Sequence, residues 1–353
     1  MTIYPKSLSM KNRITHLAII ASMMLLTSKV HSQDLHFSQF FETPLLRNPA
    51  LAGLFNGDLR LQSVFRTQWQ SVTVPYKTGS VNGEYKLLIG KRDDYITLGA
   101  QILYDRAGSV SMTSTQFMPV LNYHKSLGAE KSTYLSLGFM GGIVQRKLDR
   151  SKITTNSQFD GNAYNPNLSD GESFSNSSYS YFDGTVGLSF STQVRENPDD
   201  NFFLGVSYHH FNKAKNISFY NNPENEITPK WVLSSGIRMS TNDYSYVTFH
   251  TDYAMQGPYT ELIGGLVYSR KFGDVEDPRY MVHGGLLYRW NDAVIPTAKV
   301  ELRPFAISLS YDANVSKLIT ASKGRGGFEM GISYIKFLDR NNSTKNAVKC
   351  PKF

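Results

Sequence analysis

A single cysteine, Cys350, excludes an internal disulfide framework and any CxxC metal or redox site. The residue at the expected leader cleavage point is Gln33, so the lipid-anchor chemistry that needs a cysteine there is missing too. Neither GxSxG, HExxH nor a paired-carboxylate motif occurs, which removes the usual sequence grounds for hydrolase or metal chemistry. Lys and Arg are never gathered into a block with interleaved aromatics, so the formal charge of +8 does not read as nucleic-acid binding. Beyond the N-terminus no stretch of eighteen residues is predominantly apolar, which excludes spanning helices. The sequence is therefore expected to be neither an enzyme nor a nucleic-acid binder, and to need no cofactor.

What is present begins with an export signal. Lys11 and Arg13 supply a charged start, Leu17 to Leu26 an apolar run of about half the ~20 residues a spanning helix needs, and Val30, His31 and Ser32 a compact cleavage site. Residues 1–32 are expected to be removed after Ser32. They hold four bases (Lys6, Lys11, Arg13, Lys29) and no acid, so the remaining chain carries about +4 rather than +8.

From residue 58 onward the recurring period is two. Over 58–69, Leu59, Leu61, Phe65 and Trp69 fall on one face and Arg60, Gln62, Arg66 and Gln68 on the other. The same alternation returns at 80–89, 95–104, 113–124, 132–146, 178–193, 202–212, 230–240, 244–254, 259–271, 280–290, 294–303, 304–313 and 326–337, making fourteen segments with the first. Most run to about ten residues or more, whereas soluble sheets favour about 5–6 and a tilted membrane strand needs about 9–11. The predicted fold is all-β, a transmembrane antiparallel β-barrel of about 14 strands over 58–337. Ahead of it lies a non-strand segment, 33–57, in the lumen or at the periplasmic mouth, and after it a short basic tail, 338–353. Connectors 147–177, 213–229 and 314–325 are the longest and share one parity, as external loops of such barrels do.

Alternation also assigns the lumen. Arg60, Arg66, Glu84, Lys86, Arg238, His250, Asp252, His283, Arg289, Lys299, Glu301 and Glu329 would face inward, and their mixed signs suggest a filled interior rather than an ion-selective pore. Trp69, Tyr104, Tyr208, Trp231, Tyr268, Tyr288 and Trp290 are placed for interfacial girdles. His209 and His210, adjacent in a strand, would point to opposite faces and could not share one site.

The two ends carry a resemblance. The segment QDLHFSQFFETPLLRNPALAG (33–53) is followed by FRTQW (65–69), and GGFEMGISYIKF (326–337) precedes a basic tail ending KCPKF. This combination resembles the PorP/SprF family of outer-membrane proteins of the type IX secretion system of Bacteroidetes, which also powers gliding motility in some members. Phe37, Ser38, Gln39, Pro44, Asn48, Pro49, Ala50, Ala52 and Gly53 match the family's opening, and Arg66, Gln68 and Trp69 its strand. Leu51 stands where an aromatic is common, and Lys352 where arginine is usual.

The resemblance implies an outer-membrane barrel with two partner classes: secreted surface proteins such as adhesins bearing a type IX C-terminal signal, and periplasmic or outer-membrane secretion components. Phe37, Phe40, Phe41, Leu45, Asn48, Pro49, Arg66, Trp69, Lys349 and Lys352 are the candidate plug or partner contacts. The opening segment contains two prolines and no strand period, so it is expected to pack into the barrel rather than join its ladder. A passive channel for small solutes and a soluble secreted β-sandwich are the alternative readings; strand length opposes the second.

Overall fold

The computed structural model describes residues 34–339 except 70–73, 90–92, 129–131, 198, 221 and 318. The expected leader, 1–32, and the tail residues Arg340, Lys345, Lys349 and Lys352 lie outside the described residues. Fourteen strands are formed: β1 (Leu59–Gln68), β2 (Tyr76–Ile89), β3 (Asp94–Ala107), β4 (Met112–Gly128), β5 (Thr133–Lys147), β6 (Ser178–Gln193) and β7 (Asn201–His209), then β8 (Lys230–Asn242), β9 (Ser245–Gln256), β10 (Tyr259–Gly273), β11 (Pro278–Arg289), β12 (Ala293–Leu302), β13 (Phe305–Asn314) and β14 (Arg325–Lys336). Each pairs antiparallel with its sequence neighbours, and β1 pairs with β14 from Leu59↔Lys336 to Thr67↔Phe328. The sheet is a closed barrel, which leaves no edge and satisfies the backbone polar groups as lipid requires. No helix among the described residues is long and apolar enough to cross a membrane.

The strands are nine (β7) to seventeen (β4) residues long, enough to cross the hydrocarbon layer when tilted. Alternation sorts them by solvent. On β1, Arg60, Gln62, Val64 and Arg66 are buried toward the lumen while Leu61 and Phe65 are 48% and 45% exposed on the outside. The same outward row of Val, Leu, Ile and Phe continues through Val81, Leu98, Ile102, Phe117, Leu137 and Phe182. So large an apolar surface is a liability in water and the expected face toward lipid.

The fourteen segments read from the period are the fourteen strands, including the division at Arg303-Pro304 between β12 and β13. The ends differ. Strand β4 runs on to Gly128, into a stretch expected to be a connector, because Lys125 and Ser126 still pair with Leu135 and Tyr134. Strand β7 stops at His209, since His210 turns into the left-handed region (φ 57°). Trp69 does the same just past β1 (φ 62°), so it is not the outward strand residue its spacing implied. The three long connectors, 148–177, 210–229 and 315–324, lie at the end opposite both barrel termini, together with tight turns at 108–111 and 257–258. Of the girdle candidates, Tyr208 and Trp231 pack near that end in a tilted pair (4.6 Å between ring centroids), and Tyr288 and Trp290 edge to face (5.8 Å).

This sorting is testable at one position. Leu98, outward and mid-strand in β3, should not tolerate a charge: Leu98→Arg is expected to destabilise the folded barrel by about 2–4 kcal/mol, measured by urea unfolding in lipid bilayers.

Candidate functional site: the segment inside the barrel

Residues 35–57 cannot extend the sheet, because Pro44 and Pro49 lack the amide a ladder needs. They form three helical turns instead, Phe40–Glu42, Pro44–Arg47 and Pro49–Leu51, the last two each opened by a proline. The segment lies in the lumen, where Phe37, Phe40, Leu45, Ala50, Ala52 and Phe55 are almost fully buried against the strands.

Its first anchor is a charge cluster. Arg66 on β1 and Glu329 on β14 face each other across the closing pair of strands. The Glu329 carboxylate accepts from the backbone amides of Ser38 (2.6 Å) and Gln39 (2.8 Å), and Arg66 donates to the carbonyl of His36 (2.5 Å). Asp312 on β13 accepts from Arg66 (3.1 Å), Arg289 of β11 (3.2 Å) and the Ser38 hydroxyl (2.8 Å). Two guanidinium groups thus meet two carboxylates, none of these residues more than 4% exposed, and Arg289 also pairs with Asp292 (2.7 Å). Buried charges persist only when paired and hydrogen-bonded in this way.

The second anchor crosses to β9. Arg47 makes a two-toothed contact with Asp252, both nearly inaccessible, and its guanidinium lies over the Phe40 ring at 4.7 Å. Glu42 accepts from Lys299 (2.8 Å) and Gln62 (2.6 Å). Around these charges the lumen wall is apolar: Phe40 packs on Ile263, Val267, Leu287 and Ile295, while Phe41 stacks on His250 at 5.2 Å. Leu45 sits among Met118, Val120 and Met140, and Phe37 against Val64 and Leu103.

The third anchor is a slot cut by glycines. Asn48 donates to the carbonyls of Leu188 and Val206 (both 3.1 Å) and accepts from its own Ala50 amide (2.8 Å). A Cβ at Gly187 would come within 1.9 Å of the Asn48 Oδ1, one at Gly205 within 2.8 Å of its Nδ2, and one at Gly138 within 2.4 Å of the Pro49 carbonyl carbon. Neighbouring strands β5, β6 and β7 therefore each give up a side chain so that Asn48-Pro49 can touch their backbones. Asn122 and Ser189 close the slot by donating to the Ala50 carbonyl (both 2.9 Å). The segment then leaves past Gly53, whose amide donates to Glu84 (2.8 Å), and Phe55, whose ring lies 4.6 Å from both the Arg60 and Lys86 cations.

Of the residues singled out in the sequence, Phe37, Phe40, Phe41, Leu45, Asn48, Pro49 and Arg66 come together in this lumen, whereas Trp69 stands apart, half-buried beyond the end of β1. Lys349 and Lys352 are outside the described residues. Asp312 and the three slot glycines were not singled out. Asp312 has the inward phase of β13, shared with Ser308 and Ser310, and alternation could have found it. His209 bonds Ser207 (3.0 Å) and the Arg47 carbonyl (3.1 Å) in the lumen. His210 is also buried and reaches Asp183 (2.8 Å), so the opposite-face expectation fails because the strand ends between the two histidines. Among the described residues no group of three His, Cys, Asp or Glu is placed to hold a metal ion.

At the end away from the termini, two loops are knit together. The amides of Ser175 and Asn176 both donate to the Phe219 carbonyl (3.0 and 3.1 Å), joining 148–177 to 210–229. Phe174 packs on Tyr220 (4.9 Å) and Phe219 on Tyr179 (4.9 Å). The Tyr220 hydroxyl donates to Glu172 (2.6 Å), a bond to a carboxylate that raises the phenol's pKa above its ordinary value.

Two substitutions test the anchors. Asp252→Ala strands the Arg47 charge in the lumen and should cost about 3–5 kcal/mol in the urea transition. Gly187→Ala should cost about 1–3 kcal/mol through overpacking and should make residues 35–57 newly cleavable by protease in the otherwise folded barrel.

No curated protein matches the chain in sequence. Among solved structures, the toluene transporter TbuX of Ralstonia pickettii aligns over 84% of this chain and 94% of its own at 11% identity, with a TM-score of 0.51. The P. putida toluene transporter TodX aligns over 83% of this chain and 93% of its own (10% identity, TM-score 0.42). The translocator domain of the autotransporter NalP from Neisseria meningitidis aligns over 91% of this chain and 97% of its own (12%, 0.41). At such identity the TbuX likeness bears on fold alone, and that fold is a membrane barrel. The sequence model for "Type IX secretion system membrane protein PorP/SprF" matches residues 29–334, which contain all three anchors. The barrel and the segment inside it are those of a type IX secretion protein: the chain belongs to the PorP/SprF family.

Proposed function

We propose that this type IX secretion barrel works by docking proteins at its two faces and not by conducting solute. One observation carries the reading: the lumen is crossed by residues 35–57, fixed by the buried Arg66–Glu329 and Arg47–Asp252 pairs. A bonded interior obstructs a solute path, and it braces the wall against forces applied at either mouth.

The outer face is the docking surface for a secreted surface protein bearing a type IX C-terminal signal, an adhesin being the expected kind, with gliding motility as the wider process it would serve. Long loops lie outside and short turns in the periplasm in barrels of this type, and on that rule the loops 148–177 and 210–229 would face the cell surface. There Phe159, Tyr164 and Tyr220 are 57%, 51% and 49% exposed, and aromatic side chains are the anchors that protein interfaces favour. The inner face would meet periplasmic secretion components, and residues 1–32 would serve export and be removed.

Two measurements test this. Tagged protein recovered from detergent-solubilised outer membranes should bring down a large surface protein with a type IX C-terminal signal or periplasmic secretion components. In planar bilayers the intact barrel should be closed, and deleting residues 35–53 should raise its single-channel conductance. A conducting intact barrel that recovers neither partner class would replace this reading with a passive channel.

A further inference from the structure

The lipid-facing surface is not uniform around its loop end. There β7, β8, β11, β13 and β14 turn the aromatics Tyr208, Trp231, Tyr288, Tyr311 and Phe328 outward. On β2, β3 and β5 cations take the corresponding places. Lys77 pairs with Arg106, Arg106 with Thr113 and Thr113 with Lys147, so the three cations share one row across neighbouring strands. Each is exposed and has the outward phase, since Thr78, Asp105 and Val144 of the same strands are buried toward the lumen. Strands lie about 4.8 Å apart, so the row from Lys77 to Lys147 is only about 15 Å long.

No carboxylate among the described residues pairs with Lys77, Arg106 or Lys147. Arg106 donates to the Ser111 hydroxyl (2.9 Å), Asp105 accepts from Thr78 on the lumen side (2.7 Å), and Asp149 is held by Lys152 (2.8 Å). The turns that cap the sector, 69–75 and 108–111, contain no Asp or Glu. Lys77 stands directly opposite Arg106, and like charges so placed destabilise a sheet. An anion between them would turn that repulsion into attraction.

The place of the row decides what carries the anion. Four residues further along each strand toward mid-membrane, Val81, Ile102, Phe117 and Ile143 make a paired apolar row, 49–60% exposed. The cations thus stand where lipid chains give way to headgroups, and lipid covers the face below them. A protein approaching from outside would meet the row edge-on, whereas a lipid lies along the whole of it. The loop end is the outer end in the orientation given above, and the outer leaflet of a bacterial outer membrane is built of lipopolysaccharide, whose lipid anchor carries phosphate. Arg106 can offer such a phosphate two N–H donors, with a lysine charge on either side.

We propose that the sector from β2 to β5 is a lipopolysaccharide-binding site, in which Lys77, Arg106 and Lys147 hold the phosphate and the apolar row receives the acyl chains. The proposal rests on the loops-outward orientation and not on the secretion partners named above.

Titrating the full-length protein in neutral detergent with purified lipopolysaccharide tests the chemistry. A cation near an anionic lipid surface contributes about fivefold in affinity, so the triple variant Lys77→Gln/Arg106→Gln/Lys147→Gln should bind on the order of a hundredfold more weakly. Lys213→Gln/Lys215→Gln/Lys317→Gln, which removes three exposed loop cations at the same end, should bind as the unaltered protein does. All six side chains are exposed, so both variants should keep the urea transition of the parent barrel. Dephosphorylated lipopolysaccharide should bind the parent as weakly as the intact lipid binds the row variant. Equal losses in the two variants, undiminished binding of the dephosphorylated lipid, or equally tight binding of phosphatidylglycerol would each overturn the proposal, the last assigning the row to anionic lipid in general. An epitope inserted after the exposed Gly161 reads the orientation separately, and antibody should reach it on intact cells. An epitope out of reach while the lipid still binds in detergent would put the row in the inner leaflet and overturn the proposal through its orientation alone.

Discussion

Everything in this barrel depends on one pairing, Arg66 against Glu329, made where the first strand meets the last. A buried ion pair is poor evidence of net stability, because desolvation offsets much of the Coulomb attraction. Its force here is in register. Sliding β1 by one residue against β14 would turn Arg66 from the lumen to lipid, where a charge costs about 2–4 kcal/mol at mid-membrane, and would also separate it from its partner. The same carboxylate receives the amides of Ser38 and Gln39, so the bond that sets the seam also places the luminal segment. Closure and filling are one event in charge terms.

The filling explains a wall that is apolar on both faces. Strand β10 turns Leu262, Leu266 and Tyr268 outward, as lipid demands, yet also turns Ile263 and Val267 inward, where a water-filled pore would carry polar groups. Those inward side chains meet Phe40. The lumen is accordingly a core in two parts, an apolar contact with the aromatic residues of the segment and a polar network around its backbone.

Much of this was legible in the sequence, for physical reasons that also mark where legibility stops. A period of two sustained over long segments is enforced by two solvents on opposite sides of each strand, and it yields the strand number and the inward charges. Arg66 and Glu329 could be placed on the lumen face by phase. Their partnership could not, since nothing local connects residues on the first and last strands. The glycine slot is invisible for a different reason: Gly138, Gly187 and Gly205 sit on three separate strands, and a strand glycine alone does not say which backbone approaches it. The histidine pair misled because alternation presumes that the strand continues, whereas the left-handed turn at His210 is a single-residue decision.

The route of residues 35–57 also joins the start of the barrel domain to its end. They touch β5, β6, β7, β9 and β14 before the chain leaves them for β1, so the earliest stretch of the barrel domain is enclosed by the last strand to be made. The segment is thus a mandrel left inside the finished wall: the first residues of the domain occupy the Glu329 carboxylate of the last strand, and with them in place the charges of the β1–β14 seam are matched.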